Sequence, residues 1–102
     1  MTLKLYCFGE SGNSYKAALP LTFAGIDWEP VWVDFFNGAA RSPEYRALNP
    51  MGEAPVLVTD SFTLSQSGAI QHWITETTGK FGGRDAAEAR EVMRWQFWDN
   101  HK

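Results

Sequence analysis

The sequence is poor in cysteine, in long hydrophobic runs and in basic residues. Cys7 is the single cysteine among 102 residues, which excludes an internal disulfide and a cysteine-based zinc site. No run of about 20 apolar residues is present, so no segment is expected to span a membrane. The formal net charge of −3 leaves no basic face for nucleic acid. We therefore expect no nucleic acid, no membrane and no metal among the partners.

The N-terminal segment also lacks the pattern of a secretory signal. Met-Thr-Leu-Lys-Leu-Tyr contains no basic stretch followed by an apolar one, so we expect a cytoplasmic protein. What the sequence does contain is enough apolar material for a core, because 44% of its residues are hydrophobic. Its length is that of one ordinary domain.

The spacing of apolar and turn residues predicts the order β-α-β-α-β-β-α, followed by one more helix. Strands are predicted at 3–8, 28–35, 55–59 and 62–64. Helices are predicted at 14–24, at 43–48, from 65 or 67 to about 78, and at 84–102. The expected N-caps of the first three helices are Ser14, Ser42 and either Ser65 or Ser67. The opening β-α-β unit requires a right-handed crossover and a parallel strand pair. A four-stranded mixed sheet with helices on both faces follows.

The last predicted helix has a broad apolar face. Its members are Ala86, Ala89, Val92, Met93, Trp95 and Phe97. So much apolar surface on one helix needs a cover, either from more of the same protein or from a partner.

Three polar segments should meet at one edge of the predicted sheet. They are the loop after the first strand, with Ser11, Asn13 and Ser14, the backbone before Pro55, and the helix start with Gln66 and Ser67. Free N–H groups and the helix dipole favour a carboxylate at a helix N-terminus. A small, extended, peptide-like anion would fit such a site.

The same three segments carry a family resemblance. "LYCFGESGNSYKAAL", "NPMGEAPVL" and "LSQSGAI" occur in the order and spacing of the N-terminal thioredoxin-like domain of cytosolic glutathione S-transferases, and most resemble the bacterial, serine-type or theta-like members. The resemblance covers residues 1–80. It implies a thioredoxin-like βαβαββα domain at 1–80. It also implies that 84–102 is the beginning of an all-helical C-terminal domain, cut short.

The resemblance also implies how glutathione would be held. The peptide bond before Pro55 would be cis, and the backbone of Ala54 would pair with the cysteinyl part of glutathione. Gln66 and Ser67 would hold the carboxylate and amino group of its γ-glutamyl part. Glu53 departs from the family, which often has Lys or Gln there to help hold the glycyl end. Lys16 and Arg41 are possible substitutes, although each is also explained as an ordinary surface charge.

Several side chains near the end of the first strand are candidates for stabilising the glutathione thiolate. A hydrogen bond donated to the sulfur lowers the pKa of the thiol. Ser11 is the preferred candidate, because it stands where the resembling serine-type classes place a catalytic serine. Tyr6, Asn13 and Ser14 are the alternatives. Cys7 is better explained as a small packing residue, since it lacks the second cysteine of a C-x-x-C redox motif.

The expected function is that of a glutathione transferase, which joins the thiolate of glutathione to a small electrophile. Glutathione is then a co-substrate, and the resemblance implies a homodimer. The alternative is a non-catalytic glutathione-binding or protein-interaction module of the same fold. A glutathione-dependent thiol oxidoreductase is a weaker third reading, because a serine at position 11 cannot form a mixed disulfide.

Overall fold

The sheet at the centre of the fold has four strands. The computed structural model describes residues 3–101, so the predicted helix end at Lys102 lies outside the described residues. The strands are β1 (Lys4–Cys7), β2 (Glu29–Trp32), β3 (Val56–Val58) and β4 (Thr63–Ser65), in the spatial order β2-β1-β3-β4. β1 and β2 are parallel, whereas the β1–β3 and β3–β4 pairs are antiparallel. The predicted α/β class with a mixed sheet is confirmed.

Residues 3–101 contain four helices in the predicted order, and the last of them packs on the third. They are α1 (Gly12–Phe23), α2 (Pro43–Leu48), α3 (Ser67–Thr78) and α4 (Ala86–His101). Two short 3₁₀ turns, Phe35–Asn37 and Ala39–Arg41, connect β2 to α2. β2 is shorter than predicted because the chain turns at Val33, where the N–H of Phe35 donates to the Val33 carbonyl at 2.8 Å.

The two faces of the sheet have separate apolar cores, which follow from the alternation of side chains along β1. Leu5 points to the larger core, shared with α1 and α3. Its buried members are Leu5, Ala17, Leu21, Ala24, Leu57, Ile70 and Ile74. Tyr6 points the other way, to a smaller core of Val33, Ala40, Tyr45 and Val56 under α2. The sheet is therefore covered on both faces, as predicted.

The prediction that Ser14 caps α1 is wrong, because the cap is Ser11. Ser11 has extended backbone angles, and its Oγ accepts a hydrogen bond from the N–H of Ser14 at 3.0 Å. The cap therefore lies three residues earlier than predicted. Ser14 lies in its first turn, buried, and its Oγ has no hydrogen-bond partner among the described residues.

The beginning of α3 also differs from the prediction, since neither Ser65 nor Ser67 caps it. Ser65 ends β4 and Ser67 is the first helical residue. Gln66 lies between them with φ 76° and ψ 121°, in a region that residues with a side chain rarely occupy, and its side chain makes no capping bond. The end of α3 is as predicted, at Gly79 in a left-handed conformation.

Pro20 lies inside α1, which continues past it to Phe23. A proline lacks the N–H that would bond to the carbonyl four residues earlier, here Lys16. That carbonyl instead accepts a hydrogen bond from Nε2 of Gln71 in α3, at 3.2 Å. The missing helical bond is thus replaced by a bond between helices, and Pro20 does not end α1.

Helix α4 meets the rest of the fold mainly through polar side chains. Gln96 Nε2 donates to Gln71 Oε1 at 2.9 Å, and Lys16 Nζ lies 2.6 Å from Asp99 Oδ2. Val92 is half-buried, but the larger residues of the predicted apolar face are exposed, Phe97 to 66%. Residues 3–101 therefore leave most of that face uncovered.

Candidate functional site

The edge of the sheet where β1 ends and α3 begins carries a cavity of about 600 Å³. Its wall is formed by the turn after β1, the first turn of α1, the loop before β3, the beginning of α3 and the last turns of α4. The cavity brings together eight of the residues selected from the sequence: Ser11, Asn13, Lys16, Glu53, Ala54, Pro55, Gln66 and Ser67.

The other candidates lie outside the wall of this cavity. Tyr6 packs edge-on against Tyr45 on the α2 side of the sheet, with ring centroids 6.2 Å apart. Ser14 is buried beneath the first turn of α1. Cys7 packs against the core under α1 and α3, where burial raises the pKa of its thiol although a backbone hydrogen bond from Val31 opposes this.

Ser11 is held in place by its role as a helix cap. Its Oγ accepts from the Ser14 N–H, and its own backbone N–H donates to the Phe8 carbonyl at 3.1 Å. A hydroxyl that accepts one hydrogen bond still has its proton to donate. Ser11 can therefore cap α1 and donate a hydrogen bond into the cavity at the same time.

The loop before β3 is fixed through the carbonyl of Glu53. This carbonyl accepts from Tyr45 Oη and from Asn49 Nδ2, both at 2.8 Å. Burial, with smaller charge interactions from Cys7 and Tyr6, raises the pKa of Tyr45 to about 12, so its hydroxyl stays a donor at neutral pH. The next peptide bond, Ala54–Pro55, is cis. The backbone of Ala54 is thereby presented on the cavity wall in one fixed conformation.

The beginning of α3 forms the opposite wall. Ser67 is buried there, while Gln66 is exposed and makes only a weak contact from its Nε2 to Met51 Sδ at 3.8 Å. The first N–H groups of a helix and its dipole give this end a partial positive charge. This wall is suited to a carboxylate, flanked by the Ser67 hydroxyl and the Gln66 amide.

Several wall residues were not identified from the sequence: Phe8, Phe35, Asn49, Asp99 and Asn100. Asp99 and Asn100 come from α4, and no sequence signal places that helix beside α3. Asn49 is buried and shapes the turn, whereas the sequence shows only a turn-forming Asn-Pro pair. Phe8 and Phe35 are stacked with their ring centroids 4.7 Å apart.

The described part of the chain contains no candidate metal-binding cluster and no candidate membrane span. In residues 3–101 no three His, Cys, Asp or Glu side chains are grouped so that they could bind a metal ion. None of the helices there has both the length and the apolar character that crossing a bilayer requires.

The family model for the N-terminal domain of glutathione S-transferases matches residues 1–76. The chain belongs to the glutathione S-transferase family. Glutathione S-transferase 3 of Zea mays is 42% identical over 96 residues, which are 94% of this chain and 43% of the relative. Disulfide-bond oxidoreductase YfcG of Escherichia coli is 30% identical over an alignment of 98 residues that covers 89% of this chain and 46% of the relative. The relatives of this chain are therefore named for more than one activity.

A solved structure with a related sequence supports the fold. The glutathione transferase homologue from Sulfitobacter, solved with bound glutathione, is 27% identical and superposes with a TM-score of 0.87. The match covers 95% of this chain and 48% of that one. The thioredoxin-like fold expected from the sequence is thus confirmed, and the chain spans about half the length of the proteins it matches.

Proposed function

We propose that the protein is a glutathione transferase, which joins the sulfur of glutathione to an electrophilic substrate. One observation carries the proposal: a single cavity contains the Ser11 hydroxyl, the Ala54 backbone and the Gln66–Ser67 helix start. The Ser11 hydroxyl can donate a hydrogen bond to a thiolate, and the Ala54 backbone can pair with a peptide. The Gln66–Ser67 helix start can bind an anion. Glutathione, an extended peptide with a thiol and a terminal carboxylate, has groups that match all three.

The proposed binding mode follows from these three groups. The γ-glutamyl carboxylate lies at the beginning of α3, beside Ser67 and Gln66, where the helix dipole stabilises it. The cysteinyl part pairs with the backbone of Ala54. This arrangement directs the sulfur towards Ser11 and the N-terminus of α1.

The proposed chemistry is nucleophilic attack by the thiolate. The Ser11 hydroxyl donates a hydrogen bond to the sulfur, and the N-terminus of α1 adds a favourable dipole, so both lower the pKa of the thiol. The thiol proton is lost to solvent. The thiolate then forms a C–S bond to an electrophilic carbon while the bond from that carbon to its leaving group breaks, the halide of an aromatic halide for example departing to solvent with the bonding electrons. The chain itself is never covalently modified.

The domain division and the partners belong to the same proposal. Residues 1–80 would form the glutathione-binding domain, and 84–102 would begin a helical domain that supplies the wall for the electrophile. The exposed apolar residues of α4, Met93, Trp95 and Phe97 among them, are the surface such a domain would cover. A homodimer, in the cytoplasm, is the assembly that the family resemblance implies.

An amide NMR titration with reduced glutathione tests the binding site. We expect shifts at Ser11, Ala54, Gln66 and Ser67, and weaker binding in Ser67→Ala. Thr77→Ala, near the exposed end of the same helix, is the matched control and should bind as the wild type does. Resonances that stay unmoved as glutathione is added would contradict the site.

A glutathione-binding module without transferase activity is the second candidate. It is favoured by one observation: Ser11 already has a structural role as the cap of α1, which is enough to explain its presence. Thiol exchange by the chain itself has less support, because its only cysteine, Cys7, is outside the cavity wall and burial raises its pKa. Conjugation of glutathione to an aromatic halide would separate the transferase from the binding module.

A further inference from the structure

A methionine outside the cavity contacts one of the residues in its wall. Met51 lies in the turn before β3, and its Sδ accepts a weak hydrogen bond from Nε2 of Gln66 at 3.8 Å. Gln66 lines the cavity, whereas Met51 does not. The contact therefore joins this turn to the beginning of α3. A chemical change at the Met51 sulfur can reach the cavity wall without blocking the cavity itself.

The Met51 sulfur is open to solvent, although the backbone that carries it is held in place. The Met51 N–H donates to Asn49 Oδ1 at 3.2 Å, and the buried Asn49 side chain in turn donates to the Glu53 carbonyl at 2.8 Å. The Met51 residue is nonetheless 55% exposed. A dissolved oxidant can therefore reach the thioether, and oxidation to the sulfoxide is the common reaction of such a side chain.

The amide of Gln66 is held only weakly in the reduced protein. Gln66 is exposed, has a backbone φ of 76° and makes no capping bond to α3. Its contact with Met51 is weak because a thioether sulfur is a poor hydrogen-bond acceptor. The amide can therefore leave the sulfur at little cost and turn towards an anion at the helix start.

Oxidation of Met51 would replace this poor acceptor by a good one. The thioether sulfur attacks one oxygen of a hydroperoxide with a lone pair, and the O–O bond breaks. The proton of the transferred OH group moves to the leaving oxygen, which departs as water or as an alcohol. The sulfur loses two electrons to the hydroperoxide and becomes a sulfoxide. The sulfoxide oxygen can accept a full hydrogen bond from the nearby Gln66 amide.

Resting on the glutathione site proposed above, we propose that Met51 is an oxidation site that weakens glutathione binding through Gln66. The sulfoxide oxygen holds the Gln66 amide, so the glutamyl carboxylate has to compete for the same donor. We expect binding of glutathione to weaken about three- to tenfold, which is the effect of one typical hydrogen bond. Sulfoxide reductases reverse the change, with a dithiol oxidised to its disulfide and the oxygen released as water.

Met93 provides the internal control for an oxidised methionine elsewhere. It is 53% exposed on α4, nearly as much as Met51. It lines the grooves on either side of α4 and not the cavity. Its oxidation should therefore leave glutathione binding unchanged.

Treatment with hydrogen peroxide, removal of the oxidant and calorimetric titration with glutathione test the proposal, with peptide mass spectrometry locating each added oxygen. The oxidised wild type and oxidised Met93→Leu should each bind about three- to tenfold more weakly than before treatment. Met51→Leu should bind equally well before and after treatment. Met51→Gln places an amide oxygen at the same position and should bind weakly without any oxidant.

Other outcomes overturn the inference in distinguishable ways. Unchanged affinity after Met51 has been oxidised would remove the regulation and leave the glutathione site in place. An equal loss of affinity in oxidised Met51→Leu would assign the effect to another residue, such as Cys7. The side-chain amide resonance of Gln66 should shift on oxidation without any ligand, and an unmoved resonance would exclude the contact with the sulfoxide. Failure of the untreated protein to bind glutathione would remove the proposed function and this regulation with it.

Discussion

The middle turns of α1 and α3 differ from the first turns of the same helices in the polarity of their buried groups. In the middles, Ala17 of α1 and Ile74 of α3 are fully buried in the core on this face of the sheet. At the beginnings, Ser14 has a buried hydroxyl without a partner among the described residues, and Gln66 has a positive φ. Apolar packing fixes the helices, and their polar beginnings line the cavity through Ser11, Asn13, Gln66 and Ser67.

This difference indicates where stability and function reside. Burial of an apolar side chain is favourable wherever it occurs, but strain and unpaired polar groups persist only if the surrounding structure imposes them. The helix middles and the sheet supply that constraint. The predictions below therefore separate variants that damage the scaffold from variants that damage only the cavity.

The largest expected effect on the free energy of unfolding comes from a substitution in the middle of α3. Ile74→Ala removes a fully buried side chain and should lower the free energy of unfolding by about 3–4 kcal/mol. Thr77→Ala, exposed on the same helix, should change it by less than about 0.5 kcal/mol. Urea unfolding followed by circular dichroism measures both, and equal effects would mean that α3 is not packed as described.

A smaller effect, dependent on pH, is expected at Tyr45, which fixes the cavity rim. Tyrosine ionises near pH 10 in an unfolded chain, whereas in the fold its pKa is raised to about 12. Between these values the folded state binds more protons than the unfolded state, so stability is complete below about pH 10 and falls as pH rises through about 12. The loss should be roughly 2 kcal/mol.

Tyr45→Phe is the comparison that isolates this group. It should cost about 1 kcal/mol at neutral pH, because one donor to the Glu53 carbonyl is lost. It should then lose less stability than the wild type in alkali, so the two unfolding curves converge. Parallel curves across the alkaline range would show that Tyr45 ionises equally in both states.

The smallest effect has the opposite sign. Gln66→Gly removes a side chain from a backbone conformation that glycine adopts easily, so it should raise the free energy of unfolding by about 1 kcal/mol. The same change removes the amide at the cavity wall and should weaken glutathione binding. A variant that is both less stable and unaffected in binding would contradict the assignment of strain and function to this residue.

The sequence predicts the scaffold better than it predicts the cavity wall. Ser42 followed by Pro43 determines the start of α2, since a serine cap and a proline at the first helical position act together, and the observed helix ends at Leu48 as predicted. Gly79 ends α3 as predicted, because it adopts the left-handed conformation. Both signals depend only on neighbouring residues.

The parts that were not predicted depend on tertiary structure. The sequence analysis predicts Ser14 as the cap of α1, whereas the observed cap is Ser11. Both residues are serines, so the residue type alone does not distinguish them. Glutamine rarely adopts a positive φ, so the backbone conformation of Gln66 could not be predicted from the preferences of its residue type. Asp99 reaches the cavity because α4 lies beside α3, and the strong aromatic pattern of α4 suggested a buried face instead.

The pKa of the glutathione thiol in the complex tests the central claim most directly, with the ultraviolet absorbance of the thiolate as the signal. Ser11→Ala and Ser42→Ala each remove an N-cap serine, and each should cost about 1 kcal/mol of stability. Only Ser11 lines the cavity. We predict that Ser11→Ala raises the pKa of the bound thiol by about one pH unit or more, whereas Ser42→Ala leaves it unchanged. An unchanged thiol pKa in both variants would contradict the account and reduce Ser11 to a helix cap.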